Sequence, residues 1–426
     1  MTVRTLMRWG SLSTLVGVVA GLGSAGFLVA LAGVTTLHQT YPWLLAGLPL
    51  AGALIAWLYA GYGKPAIGGN NLILERVHEP DAHGVPLRMF PVVLVGTLLT
   101  HLCGGSAGRE GTAVQMGGSL AGSLGRLMRL SPSETRVLLM AGISAGFGSV
   151  FGTPIAGAVF GMEVVLLGVI RYDALLPCLI AALVGDTVVR RLGVPHSHYP
   201  VTAIALTPLL VLQISAAGVL FGWTSAVFAE LVHGVTAGAK RLVPHPIVRT
   251  SLGGCLLVGL TVVLDTRIYS GLSLPLLAQA FTPLGVPTFA FALKLILTAL
   301  TLGVGFKGGE VTPLFVIGAT LGVTLGRWWG VPTDVMAALG FLAVFAAAAN
   351  TPLACVLMGV ELFGSDLLVP MTIAVVVAYI ASGHRGIYAA QRIHTPKFRL
   401  DSVDLVGSRL DGVRAAQRSV TDGTDE

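Results

Sequence analysis

The sequence predicts an all-α membrane protein made of two related halves, each containing broken, tilted transmembrane helices. Three observations predict it. Of 426 residues, 54% are hydrophobic and only 11% charged, whereas a soluble domain carries about 25% charged residues. Long windows such as 12–37, 43–58, 208–232 and 288–304 hold few or no ionised side chains, and each crosses most or all of roughly 30 Å of hydrocarbon as a helix. Shorter, glycine-flanked apolar segments lie between them, and their pattern recurs later in the chain. A nucleic-acid binder, a secreted disulfide scaffold and a cytosolic enzyme are thereby excluded.

Glycine, proline and charge punctuate the chain into apolar helical segments near 10–37, 43–62, 89–104, 110–127, 134–150, 154–169 and 174–189. A second set lies near 206–232, 248–265, 287–303, 311–328, 335–349, 352–363 and 367–383. Several fall short of the roughly 20 residues of a full span, so they are expected to end inside the membrane. Arg4 and Arg8 before the first span, and the loop containing Lys64, Arg76 and Arg88, favour a cytoplasmic N-terminus. Residues 1–195 form the expected first membrane repeat, 196–390 the second, and 391–426 a short polar cytoplasmic tail without a folded regulatory domain. The four cysteines are scattered through apolar sequence and read as small buried hydrophobes.

Internal repetition is the most informative feature. An offset of 200 lays GSAGREGTAVQMGGSLAG, from Gly105, over GFKGGEVTPLFVIGATLG, from Gly305, with Glu110 on Glu310 and Thr112 on Thr312. An offset of 198 lays GISAGFGSVFGTPIAGAVFGMEV, from Gly142, over GFLAVFAAAANTPLACVLMGVEL, from Gly340, with Glu163 on Glu361. Secondary transporters are commonly built from such repeats, with broken helices meeting near the bilayer midplane. In each half a glycine-rich stretch leads directly into a short apolar helix. Unpaired N–H groups at a helix start carry positive partial charge, so two starts aimed at one point would bind an anion.

Glu110, in Gly108-Arg109-Glu110-Gly111-Thr112, stands at one such start, and Glu310, in Gly308-Gly309-Glu310-Val311-Thr312-Pro313, at the other. Each is either a capping carboxylate held by the helix dipole or a group that occupies an anion site until protonated, acting as gate and proton carrier; ionisable groups within spans are functional candidates. Their equivalence in the repeat favours function. Glu163 and Glu361 each follow a Thr-Pro helix start and are expected to be structural, satisfying backbone N–H groups. Tyr388, in His384-Arg385-Gly386-Ile387-Tyr388, is either an interfacial tyrosine or a neutral donor to an anion. Two Gly-x-Ser-x-Gly strings, around Ser106 and Ser144, keep a rival class in view: an intramembrane serine hydrolase with His384 as base, although neither string follows a strand.

The Gly-Arg-Glu-Gly block, FGTPIAGAVFGMEV, GGEVTPLFVIGATLG, FAAAANTPLACVLMGVELFG and the terminal HRGIY together resemble the CLC family of chloride channels and anion/proton antiporters, over about residues 10–392. The resemblance implies the CLC-type inverted repeat, one anion pathway per protomer, a homodimer in membrane lipid, Glu110 as gating glutamate, and Tyr388 as the central pathway tyrosine sharing its cavity.

Departures narrow the branch. Chloride members read Gly-Ser-Gly-Ile-Pro where this chain reads Gly69-Asn70-Asn71-Leu72-Ile73. Thr112 replaces a proline, Glu310-Val311-Thr312 stands in the second element, and Val164 occupies the position of the internal proton-transfer glutamate. These substitutions resemble the bacterial fluoride/proton antiporter branch. Fluoride holds its water tightly, so stripping it needs good replacement donors. Amides of Asn70 or Asn71 and hydroxyls of Thr112 and Thr312 are expected to supply them, with Gly108, Arg109, Gly111, Val311 and Tyr388 completing the anion-binding set. Glu310 is expected to assist proton coupling. The expected activity is export of fluoride from the cytoplasm of a bacterium, across its inner membrane, against inward protons; a chloride channel or chloride/proton exchanger is the alternative. No cofactor, metal or nucleic acid is expected.

Overall fold

The computed structural model describes residues 3–79, 84–197, 199–398 and 406–413. Its helices fall into two successions of eight. The first comprises α1 (Val3–Thr40), α2 (Leu48–Ala60), α3 (Asn70–His78), α4 (Met89–Leu102), α5 (Glu110–Leu127), α6 (Pro132–Phe151), α7 (Pro154–Glu163) and α8 (Leu175–Arg191). The second comprises α9 (Pro208–Leu242), α10 (Pro246–Val263), α11 (Leu274–Gln279), α12 (Ala290–Val304), α13 (Val311–Trp329), α14 (Thr333–Ala349), α15 (Pro352–Phe363) and α16 (Leu368–Ala381). Contacts follow the duplication. The α5–α6 pairing is echoed by α13–α14 and α1–α8 by α9–α16, while α2 meets α10 and α7 meets α15 across the halves.

Local chemistry sets the helix ends. Ser131 and Glu134 form a capping box ahead of Pro132, and Gly152 ends α6 in the left-handed region at φ +75°, as this kind of start and stop requires. Thr207 caps α9 through the Leu210 N–H at 3.2 Å, with Pro208 in the first helical position. Tight packing depends on small residues. A Cβ on Gly117 would strike Gly142 O, and one on Gly318 would strike Gly340 O, at the two repeat-equivalent helix crossings.

Six segments among the described residues are long and apolar enough to cross a membrane, including α1, α9, α10 and α13. Their outward faces carry Leu50, Leu209 and Val263, each more than half exposed, as lipid-facing surface does. By contrast α13 is largely enclosed, which places the helix opened by Glu310 at the centre of the protein.

The structure amends five expectations. Helices α3 and α11 lie where no apolar segment was expected; α3 carries Asn70, Asn71, Glu75, Arg76 and His78, so hydropathy cannot find it. Helix α7 stops at Glu163 instead of running toward 169, and the all-α description gains a short parallel pair, β1 (Leu166–Leu167) with β2 (Arg392–Ile393). The segment expected at 206–232 continues to Leu242. Finally, part of the tail is packed rather than solvated: Leu410 and Val413 are buried against Leu167 and Ile393. Residues 399–405 and 414–426 of the tail lie outside the described residues.

Candidate functional site

The loops that precede α5 and α13 touch. The Gly108 N–H donates to Gly309 O at 2.6 Å and the Gly309 N–H returns to Gly108 O at 2.8 Å. Neither position admits a side chain: a Cβ on Gly108 would lie 2.8 Å from Pro313 Cδ, and one on Gly309 2.7 Å from Gly111 N. This reciprocal bridge brings the N-terminal ends of two buried helices to one place, the arrangement that concentrates positive partial charge. The first loop is fastened further by His101, whose ring nitrogens lie 2.8 Å from Thr97 O and 3.1 Å from Ala107 O, and by Ser106 Oγ, 2.8 Å from Thr298 Oγ1.

Glu110 does not cap its own helix alone. Its carboxylate crosses to the other half, where Oε2 accepts the Thr312 N–H at 3.0 Å and the Thr312 hydroxyl at 2.5 Å. Oε2 also accepts the Arg109 N–H at 3.2 Å, and Arg109 Nε donates to Oε1 at 3.3 Å. The side chain is 1% exposed. A carboxylate with four charge-stabilising donors at the first turn of α13 occupies the place that those donors would offer a small anion.

Glu310, the repeat partner, has no such set: its Oε2 is buried without a hydrogen-bond partner. Asn70, at the first turn of α3 after Gly69 (φ +56°), likewise leaves Oδ1 buried and unpartnered. The two approach each other over Gly111, where a Cβ would lie 3.1 Å from Asn70 Nδ2 and 3.4 Å from Glu310 Oε2. Only glycine leaves that space open. Buried polar atoms without partners are uncommon, and at this gap the unpartnered Glu310 Oε2 stands near the Asn70 Nδ2 donor.

Tyr388 is buried and lines, with Asn70, Val114, Phe160 and Val164, an apolar cavity of about 10 Å³, room for about one water. Its segment is tied to the elbow after α14. The Ile387 N–H reaches Ala348 O at 2.9 Å, Asn350 Nδ2 reaches Gln391 Oε1 at 2.9 Å, and Gln391 Nε2 reaches Val164 O at 2.9 Å. Glu110 lines a different chamber of about 20 Å³, walled by Arg109, Phe151, Phe315, Phe341 and Thr312. The expectation that Glu110 and Tyr388 share one cavity is therefore corrected; Asn70 stands beside both Gly111 and Tyr388.

Of the remaining expected residues, Val311 and Thr312 open α13 as anticipated, and Arg109 is engaged by Glu110. One hydroxyl and one amide of the set also make contacts within the fold. Thr112 Oγ1 is 2.7 Å from Thr97 Oγ1, inside the α4–α5 contact, and Asn71 Oδ1 accepts the Ala390 N–H at 3.0 Å, fastening the segment after Tyr388. Glu163 and Glu361 cap each other's helices. Glu163 accepts the Leu353 and Ala354 N–H groups at 3.1 and 2.8 Å, and Glu361 the Ile155 and Ala156 N–H groups at 3.0 and 2.8 Å. Neither serine of the hydrolase reading meets a base: Ser144 donates to Ala158 O at 3.3 Å, and His384 Nε2 accepts the Lys397 N–H at 3.1 Å. Sequence reasoning missed Ser197 and Tyr199, which line the Glu110 chamber, and Lys294, fully buried with Nζ donating to Tyr269 O, Gly271 O and Ser273 Oγ at 2.8–3.0 Å. No local pattern around these three residues announces them.

The model of the family described as "Voltage gated chloride channel" matches residues 51–383. A "Chloride/fluoride channel protein" of Pseudomonas syringae pv. tomato is 44% identical over 98% of this chain and 94% of its own length. An "H(+)/Cl(-) exchange transporter ClcA" of Yersinia pestis is 27% identical, covering 89% of this chain and 86% of its own length. Among solved structures, a CLC-type fluoride/proton antiporter superposes with a TM-score of 0.89 at 38% identity, over 92% of this chain and all of that one.

Proposed function

Since the chain belongs to the voltage gated chloride channel family, whose members transport anions and are not enzymes, we propose that it is a fluoride/proton antiporter that exports fluoride from a bacterial cytoplasm as protons enter. One observation carries this reading: the Glu110 carboxylate sits on the N–H and O–H of Thr312 at the start of α13, as a bound halide would.

Charged Glu110 and fluoride compete for those donors. Protonation removes the carboxylate's charge and weakens its hold on them, so the neutral side chain swings away carrying its proton while fluoride takes the vacated donors. Fluoride is costly to strip of water. The N–H and O–H of Thr312 and the Asn70 amide over Gly111 offset that cost, and the Tyr388 phenol awaits the ion in the inner cavity. Glu310, with an unpartnered oxygen beside Gly111, takes up a proton next to the ion, which accounts for coupling with Val164 in place of an acid. The pathway repeats in each protomer of a homodimer embedded in the inner membrane, and residues 1–195 and 196–390 act as its two halves.

The matches whose names mention fluoride are more similar to this chain than the proton/chloride exchanger is, which supports fluoride as substrate. Chloride transport is the second reading, kept by the word chloride in the name of the 44% identical relative. Efflux of each halide from liposomes separates the two: fluoride should leave at least about tenfold faster at equal gradients, a preference of about 1.4 kcal/mol, and equal rates would overturn the assignment.

A further inference from the structure

The chamber around the Glu110 carboxylate holds about 20 Å³, room for about one water. Beyond it lies a cavity of about 880 Å³ bordered by His38, Arg267 and the 270–275 turn. The two spaces share three wall residues, Ser197, Tyr199 and Leu274. Leu274 has no polar side-chain atom, so Ser197 and Tyr199 are the hydroxyl-bearing residues common to both spaces. The Tyr199 ring is held in place by stacking on Phe281, with centroids 4.7 Å apart and planes at 25°, and by Phe341 and Phe363 at 6.3 and 6.4 Å.

A proton bound for Glu110 from the large cavity must pass this shared wall. Phe151, Phe315 and Phe341 offer it no partner, Arg109 keeps its protons, and the Thr312 hydroxyl is already donated to Glu110. Proton transfer over such a distance proceeds by hops between hydrogen-bonded O–H groups and water. We propose that Ser197 and Tyr199 form an outer hydroxyl relay through which Glu110 receives its proton. Tyr199 gives its proton to the chamber water as that water gives one to the Glu110 carboxylate. Ser197 restores the phenol and is itself restored by a hydronium ion in the large cavity, which becomes water. Every oxygen makes one O–H bond as it loses one, so the net change is a single proton moved inward. The relay rests on the reading of Glu110 as proton carrier.

Tyr199→Phe keeps the ring and its stack while removing the hydroxyl, and tests the relay in liposomes containing the full chain. Fluoride-driven proton uptake should fall by about tenfold or more, with the fluoride concentration at half-maximal rate unchanged and the rate recovering as the outer pH is lowered. Ser197→Ala should fall less, because water can occupy the smaller gap, and Tyr199→His, which can also pass a proton, should recover part of the loss. Proton uptake at the unmodified rate in Tyr199→Phe, or a loss expressed only as weaker fluoride binding, would overturn the relay. Glu110→Gln in the same assay separates the two ideas: coupling lost in Glu110→Gln but intact in Tyr199→Phe sinks only the relay, while coupling retained in Glu110→Gln sinks the carrier reading beneath it.

Discussion

Two pairs of repeat-related glutamates meet across the centre of this protein, and the duplication has treated them differently. Glu163 and Glu361 are interchangeable: each reaches over the boundary and satisfies two N–H groups at the start of the other half's helix, with all four distances between 2.8 and 3.1 Å. Glu110 and Glu310 began as equivalents too, one at each glycine-rich helix start. Yet Glu110 has taken the donors of α13, whereas Glu310 Oε2 has none. A matched pair of caps holds two halves together and has no direction. An unequal pair has one satisfied and one unsatisfied acid, so moving an ion or a proton between them changes the energy, and that inequality is what a transporter needs.

The widest separation between the pairs should come from Glu110→Gln. The amide keeps the size of the side chain but carries no exchangeable acid, so fluoride-driven proton flux in liposomes should be lost; Glu361→Gln measured alongside should keep its coupling. Next comes Gly111→Ala. Its methyl would intrude on the gap between Asn70 and Glu310, within 3.1 Å of Asn70 Nδ2 and of Gly309 Cα, and misplacement on that scale costs transport roughly tenfold to a hundredfold. Unaltered flux there would mean that the gap between the Asn70 amide and Glu310 is no working site. Glu163→Gln and Glu361→Gln should act on stability instead, each weakening two charge-assisted hydrogen bonds and costing about 1–3 kcal/mol. Unfolding in detergent should place the two variants within about 1 kcal/mol of each other; a large disparity would break the symmetry claimed for them.

The smallest effect belongs to the segment that follows α16. Burial, and then the Lys397 cation, hold the His384 imidazole below its ordinary 6.5, and its neutral Nε2 is what accepts the Lys397 N–H. Because the folded value is depressed, this contribution is complete above about 6.5 and is lost as pH falls through the lowered value. Hydrogen exchange at Lys397, corrected for its intrinsic rate, should quicken as pH falls below about 6.5 and should not do so in His384→Gln.

How far the sequence discloses this arrangement depends on the range of each interaction. Proline and glycine act on their own backbone, so Pro132, Pro154 and Pro352 mark helix starts, and Gly152 and Gly330 mark stops, from the chain alone. Repetition reveals that Glu110 matches Glu310 and that Glu163 matches Glu361. It does not reveal that Glu110 leaves its own helix for Thr312, two hundred and two positions away, because the duplication brings many polar groups near one axis and packing chooses among them. The same limit explains Thr112 and Asn71. Their hydroxyl and amide suit an anion by type, and nothing in the chain tells that one also meets Thr97 and the other also accepts the Ala390 N–H through Oδ1. Helix α3 escapes notice for another reason: it buries only Ile73, Leu74 and Val77 and needs no continuous apolar run. Tyr199 escapes because a loop tyrosine beside Pro200 has no periodicity to betray that its ring stacks on Phe281.

The reciprocal Gly108–Gly309 bridge bears on how such a molecule can move. Many transporters rock one repeat against the other about a fixed substrate site, and a seesaw of that kind needs its fulcrum free of crosslinks. Here the fulcrum is stitched: the two tips share a pair of backbone hydrogen bonds of 2.6 and 2.8 Å, in a spot too crowded for even a methyl group. Torsions of a single side chain can turn without undoing that stitch. Turnover would then be paced by dehydration of the ion and by rotamer changes, with the backbone serving as a stator around which one acid revolves.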